Sequence, residues 1–561
     1  MGGTERNHKF RILSFYALHS IKAIQMRSLL ILVVLQLSFF AGVSQGQPKL
    51  IVGIVVDQMR QDYLYRYWDK FEDDGFKRLI NNGYYCRNVH FNYIPTYTAP
   101  GHASIFTGTT PMVNGIISNY WYDRDVDGNL YCVGDDNVNS VGTDNANGKM
   151  SPHRLLTTTL GDAVRQSNQF KGKSIGVSIK DRAAILPAGH SANAAYWMDY
   201  QSGNMITSTY YMTDLPKWVK SFNAKKIPDE LVKMNWELSL APELYIESTA
   251  DNSPYEKALI EGRDPIFPYD VKQSIAQRGY YAFASTPYGN TYVRKFAEDV
   301  IINEDLGQDD HLDFLSISFS SPDMIGHSYG PQSMEIEDTY LKLDKEIALL
   351  LKALDQRVGV GNYSLFLTAD HAAAPIPKYM SDNKIPVDYI DDEKFETELK
   401  AELELLFPSA LLISNYSNQQ VFVNHEELDK KGLESKKVHA VIKNFALNYP
   451  GVSNALDIKD LQHPLPPDQF SKLAAQGWNP QRSGDIIIQY LPGWMEYEGK
   501  GTTHGSSYAY DTHVPLIFFG WGVTKGETIE EIQITQIAPT MSILCRIGFP
   551  DASSHAPIIF K

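Results

Sequence analysis

The sequence predicts an α/β protein built on a mainly parallel sheet flanked by helices, and two observations carry that prediction. Short β-branched runs ending in polar residues recur at 50–56, 174–179, 314–319, 364–368, 485–490 and 515–519, and uninterrupted apolar runs of this length are how strands buried on both faces read. Helical patterns lie between them. The clearest is Ile336, Tyr340, Leu343, Ile347, Leu350 and Leu354, spaced by three and four residues along one amphipathic face. Strands alternating with helices imply parallel pairing.

Taken in chain order, the first element is an export signal. Arg27 precedes the apolar run 29–41 (LLILVVLQLSFFA), and GVSQG follows, the layout of a secretory signal cleaved between Ser44 and Gly46. The run is short of the roughly 20 residues that span a bilayer. Met26 stands where such a signal starts, so residues 1–25 read as an over-extended gene start. The mature chain, 47–561, is expected in the periplasm or outside the cell, without stable membrane insertion. A Tyr/Pro-rich stretch at about 201–290 and a charged stretch at about 378–480 interrupt the alternation and read as inserted cap subdomains on one catalytic domain.

Composition narrows the function. With 43% hydrophobic and 21% charged residues, bulk disorder is excluded. A net charge of −15 argues against nucleic acid as a specific partner. The three cysteines, Cys86, Cys132 and Cys545, cannot form a thiolate zinc site; export would permit one disulfide, with three possible pairings. The oligomeric state is left open.

Acids and histidines fall at the predicted strand ends. Asp57 follows LIVGIVV, Asp323 follows FLSISFSSP, and Asp370 with His371 follows SLFLTA; in open α/β sheets ligands bind at that edge. His327 lies four residues after Asp323, one helical turn away, and His504 sits in the glycine-flanked loop GTTHGSS. Singly, each is an ordinary helix cap or solvated side chain. Together, three carboxylates and three imidazoles suffice for two tetrahedral metal sites, each with an open position. His190, His513 and His102 lack such company and read as structural, His102 as a helix-end hydrogen bonder.

These residues lie in motifs (VVDQMR, PTYTAPGHASIFTG, SNYWYD, IKDRAAILPAGH, SPDMIGHSYGP, TADHA and GTTHGSSY) whose order resembles the alkaline phosphatase superfamily, and within it the phosphate-irrepressible, PafA-like alkaline phosphatases. The resemblance runs from the strand before Asp57 to about Phe549. It implies two Zn²⁺, one on Asp57, Asp370 and His371 beside the nucleophile Thr98, the other on Asp323, His327 and His504. Thr98, rather than Thr96, occupies the motif's nucleophile position, at the mouth of a helix expected to begin near Pro100. Asn119, Lys180 and Arg182 complete the phosphoryl site. Lys180 and Arg182, at i and i+2 of a strand-like segment, are expected on one face with Asp181 turned away. Two Zn²⁺ against three carboxylates leave one positive charge, and the Lys/Arg pair brings it to three. A dianionic monoester with a Thr98 alkoxide matches that. A third, Mg²⁺ site of classical relatives has no acid cluster here, and Lys180 is read as filling its electrostatic role.

The implied reaction is hydrolysis of phosphate monoesters through a phosphothreonine, releasing inorganic phosphate. The alternatives are a phosphodiesterase or nucleotide pyrophosphatase of the same superfamily and an inactive secreted binding protein. A sulfatase is disfavoured because Thr98 cannot supply formylglycine, and a phosphoglycerate mutase because of the export signal.

Overall fold

A strand buried on both faces needs no polar alternation, and Leu50–Val56 shows none: all seven residues are buried. In the computed structural model, which describes residues 46–462, 468–497 and 499–561, this strand lies in the middle of an eleven-stranded sheet. The apolar run 29–41, read as an export signal, falls outside the described residues. The sheet strands are β1 (Leu50–Val56), β2 (Tyr84–His90), β3 (Ser140–Val141), β4 (Ser174–Ser178), β5 (Ala194–Met198), β6 (Met205–Ser208), β7 (Asp313–Phe319), β8 (Tyr363–Thr368), β9 (His513–Gly520), β10 (Gly526–Thr528) and β11 (Ile532–Gln533). Their order is β10-β2-β9-β8-β1-β7-β4-β5-β6-β3, with β11 also on β2. The block β8-β1-β7-β4-β5 is parallel throughout. The expected mainly parallel α/β architecture is therefore present, with β9 and β6 added antiparallel at its two sides.

The helices between these strands include α1 (Thr98–Thr107), α2 (Asp181–Ala188), α3 (Ser321–Tyr329) and α4 (Met334–Leu354). All six apolar residues of the predicted stripe on α4 are buried, and Ser333 caps the helix by accepting the Ile336 N–H at 3.1 Å.

The two interruptions behave differently. Residues 201–290 share the main core: Trp236 and Tyr245 are buried in it and both donate to Asp338 of α4, at 2.7 and 2.8 Å. The later stretch forms its own four-stranded antiparallel sheet (Ile413–Ser417, Gln420–Val423, Val452–Asp457, Ile486–Tyr490) with a separate core around Phe395, Val421, Val438 and Ile486. The run at 485–490, which reads like the strands of the main sheet, belongs to this small one, so the segment extends past residue 480. A short apolar run carries no mark of which sheet it joins. Cys86, Cys132 and Cys545 are buried, and no disulfide joins them. No helix among the described residues is long and apolar enough to cross a membrane.

Candidate metal centre

Because β8, β1, β7 and β4 are parallel neighbours, their C-terminal ends open on one edge, roughly 4.8 Å from strand to strand. The chain leaves each with chemistry: Asp370 and His371 after β8, Asp57 after β1, Asp323 after β7, Lys180 after β4. Asp323 stands in the first turn of α3, where Pro322 is well placed. One turn on, His327 Nε2 lies 3.2 Å from Asp323 Oδ1. His504 arrives on the loop before β9, its Nε2 3.5 Å from the same oxygen, and its ring stacks on His371 with centroids 3.4 Å apart. Two groups of candidate ligand atoms result, Asp323/His327/His504 and Asp57/Asp323/His371, each within 4.8 Å. Asp323 is common to both. Asp370 Oδ2 lies 3.6 Å from His371 Nε2.

The ring orientations test whether a cation fits. His327, His504 and His371 donate Nδ1–H to the carbonyls of Thr502, Thr96 and Ala372 at 2.8, 2.7 and 3.0 Å, and a carbonyl can only accept. A ring that is neutral therefore turns its Nε2 lone pair toward carboxylate oxygens, which also only accept; burial lowers His371 and His504, whereas at His327 the neighbouring Asp323 outweighs burial and raises the imidazole. Asp57 Oδ1, Asp370 Oδ2 and His371 Nε2 are buried without a hydrogen-bond partner. Facing acceptors buried without donors are what a bound cation satisfies. An imidazole and carboxylate set suits zinc better than magnesium or calcium.

Charge is partly balanced by Lys180, whose Nζ lies 2.8 Å from Asp57 Oδ2 and 2.6 Å from Asp323 Oδ2. Burial, reinforced by Asp370, raises the Asp57 carboxyl well above the ordinary range, with Lys180 opposing. At Asp323 burial is outweighed by His327 and Lys180, and the carboxyl falls well below it. Burial is likewise outweighed at Lys180, which Asp323 and Asp57 push up. Burial pushes His371 down to about 3 against the pull of Asp370, keeping the ring neutral and able to ligate.

The remaining residues surround this cluster. α1 begins at Thr98, two residues before the expected Pro100; Pro at the third position is tolerated because the first N–H groups of a helix have no internal acceptor. Gly101 lets α1 approach: a Cβ there would lie 2.2 Å from the Asp370 carbonyl oxygen. Thr98 is buried. Thr96 is committed elsewhere, donating to Ser506 O at 3.3 Å while its carbonyl accepts His504. Asn119 Oδ1 accepts the Ala99 N–H at 2.9 Å, which turns its NH₂ away as a donor.

Lys180 and Arg182 depart from the expected strand face. β4 ends at Ser178, and Lys180 is the residue before α2. Nothing in Lys-Asp-Arg marks a helix start, so the segment reads as a continued strand. Arg182 Nη1 lies 3.1 Å from Tyr131 Oη, and its Nε is buried without a partner. Both cations line a cavity of about 600 Å³ with Tyr120, Tyr131, Trp197 and Tyr200. Asp181 accepts from Tyr131 and from the Arg182 N–H, the latter at 2.6 Å.

Two residues do more than their sequence positions tell. His102 makes the expected helix-end bond, giving Nδ1–H to Thr98 O at 2.8 Å, and is also fully buried, 3.3 Å from Asp370 Oδ2 and with Nε2 2.9 Å from Ser318 Oγ. Gln58 bonds two of the candidate ligands. Its place right after Asp57 was the one available signal. His513 bonds Arg87 O at 3.0 Å; neither it nor His190 belongs to the cluster.

A sheet edge carrying this donor set defines a class. The chain belongs to the type I phosphodiesterase / nucleotide pyrophosphatase family of the alkaline phosphatase superfamily, the family's model matching residues 51–513. Within that class it is 42% identical over 516 residues to alkaline phosphatase PafA of Elizabethkingia meningoseptica, covering 91% of this chain and 94% of that protein. It is 43% identical, over the same length and shares, to a Myroides odoratus protein named calcium-transporting ATPase. The crystal structure of wild-type alkaline phosphatase PafA matches with a TM-score of 0.89 at 40% identity, over 92% of this chain and 99% of that one.

Proposed function

We propose that the protein is an exported alkaline phosphatase that hydrolyses phosphate monoesters with Thr98 as nucleophile and two Zn²⁺ as cofactors. The observation that carries this reading is the set of three histidines whose Nδ1 atoms bond backbone carbonyls while Nε2 faces buried carboxylates, with Asp57 Oδ1, Asp370 Oδ2 and His371 Nε2 left buried without a partner. Similarity to alkaline phosphatase PafA over most of both chains supports it. Asp57, Asp370 and His371 would hold one metal beside Thr98, and Asp323, His327 and His504 the other. Bound there, the metals supply Lewis-acid stabilisation of oxygen charge and make a hydroxyl a competent nucleophile at neutral pH.

Thr98 Oγ attacks phosphorus in line, its proton lost to solvent. The Oγ–P bond forms as the ester P–O bond breaks, and the departing alcohol takes up a proton. Water then attacks the phosphothreonine, the Oγ–P bond breaks, Thr98 regains a proton and inorganic phosphate leaves. Asn119 NH₂ and the Arg182 guanidinium bind the non-bridging oxygens, and Lys180 lowers the cost of gathering negative charge beside Asp57 and Asp323. The N-terminus of α1 favours the same anion.

The terminal phosphoryl of ATP has the same dianionic head as a monoester. Phosphoryl hydrolysis is therefore the one part of the Myroides odoratus relative's name brought to this chain. One observation favours a phosphodiesterase instead: the aromatic-lined cavity beside Arg182 has room for a second ester group. Acid quenching during monoester turnover, followed by peptide mass spectrometry, tests the proposal. Phosphate is expected on Thr98; phosphate on Thr96, or on no residue, overturns it. Export directed by residues 26–46 is tested by N-terminal sequencing of the mature protein.

A further inference from the structure

Gln58 follows Asp57 and holds a conformation that costs it something. Its φ is 64°, in the left-handed region that disfavours a side chain with a Cβ. Glycine would sit there freely and asparagine nearly so. What the glutamine gains is visible in its bonds. Its main-chain N–H donates to Asp370 Oδ1 at 3.1 Å, and its Nε2 donates to Asp323 Oδ1 at 2.7 Å. The side chain is 3% exposed, and α3 makes room for it: a Cβ at Gly326 would lie 1.9 Å from Gln58 Oε1.

The three aspartates differ in how the sheet holds them. Asp57 follows directly on β1 and Asp370 follows closely on β8, adjacent parallel strands in continuous register. Asp323 stands beyond β7, on a helix, so the sheet alone does not fix it. Lys180 holds its Oδ2 and Gln58 its Oδ1, and Oδ1 is the oxygen that faces His327 and His504. A neutral amide orients that oxygen without cancelling the charge it would offer a metal, as a second lysine would. Glycine lacks the amide, and asparagine is one methylene too short to place it there.

We infer that Gln58 is the positioning residue of Asp323, setting the half of the centre formed with His327 and His504. The inference rests on the two-zinc reading. The test uses the full chain, stripped of metal and retitrated with Zn²⁺ against a chromophoric chelator, as wild type, Gln58→Asn and Gln58→Gly. Both variants accept φ 64° and keep the main-chain bond to Asp370, so thermal melting of the metal-free proteins should stay near wild type. The expected result is one equivalent bound about 10- to 100-fold more weakly, the usual cost of losing a partner behind a metal ligand, with the other equivalent unchanged. Wild-type affinity for both equivalents, or equal weakening of both, would overturn the role of Gln58 while leaving the zinc reading intact. Failure of the wild type to bind zinc would overturn that reading, and this inference with it.

Discussion

His439 and His371 are both buried beside an aspartate, and they use their ring N–H groups in opposite ways. In the inserted subdomain, His439 Nδ1 is 2.8 Å from Asp457 Oδ2, and the half-exposed His425 has Nε2 2.9 Å from Asp485 Oδ1. Asp485 also accepts from Arg124 and from the Val423 N–H. Those are closed pairs. At the sheet edge, His371 spends its N–H on the Ala372 carbonyl and turns a lone pair on Asp57 and Asp370, 3.5 and 3.6 Å away. Acid beside histidine is thus structural or ligand-like according to where the N–H goes, and sequence spacing does not report that.

If the contrast is right, the largest effect belongs to the residue that does chemistry at the open edge. Thr98→Ala should lower kcat by more than about 10³-fold while both metals stay bound; Thr98→Ser should keep appreciable turnover because the hydroxyl survives. Wild-type rates in the alanine variant would remove Thr98 as nucleophile. Next comes the anion clamp. Lys180→Ala with Arg182→Ala should cut kcat/KM for an aryl monoester by about 10²-fold or more. The matching diester, with one fewer charged oxygen, should lose clearly less. An equal loss for both would assign the pair to general binding or folding.

Metal content sharpens the comparison further. His327→Ala and Asp323→Ala should each deplete the zinc held with His504, whereas His371→Ala should deplete the other; full content in any of these variants contradicts the site. The smallest effect is expected in the closed pairs. His439→Ala should cost about 1–3 kcal/mol of stability by removing the donor to the buried Asp457 Oδ2, the Lys459 N–H still holding Oδ1, with zinc content and kcat unchanged. At Asp457 burial is outweighed by the His439 hydrogen bond and the carboxyl is depressed. Its stabilisation is therefore fully present above the ordinary carboxylate range and lost as pH falls through the depressed value. Urea melts of wild type and variant at neutral and strongly acid pH should converge at the acid end.

The strands were legible because a parallel strand buried on both faces is an unbroken apolar run, and the acids beyond β1, β7 and β8 stand out against it. Asp323 and His327 were legible because helical spacing is local. Lys180 was misplaced because the end of β4 and the start of α2 have no capping signal between them. The roles of His102 and Gln58 at the centre were not legible: the first adds to its helix-end bond a contact with Asp370 distant in sequence, and the second, marked only by its place after Asp57, acts through a positive φ. The strand Ile486–Tyr490 reads like its neighbours and differs only in its partners.

The most direct test combines two readings of one sample: zinc bound per chain, and hydrolysis of an aryl phosphate monoester and diester sharing one leaving group. Two zinc ions per chain, activity lost on chelation and restored by Zn²⁺, and a monoester kcat/KM exceeding that of the diester by orders of magnitude are the predicted results. Full monoester turnover without bound metal, or a diester hydrolysed as well as the monoester, would contradict the assignment of this edge as a dizinc phosphomonoesterase centre.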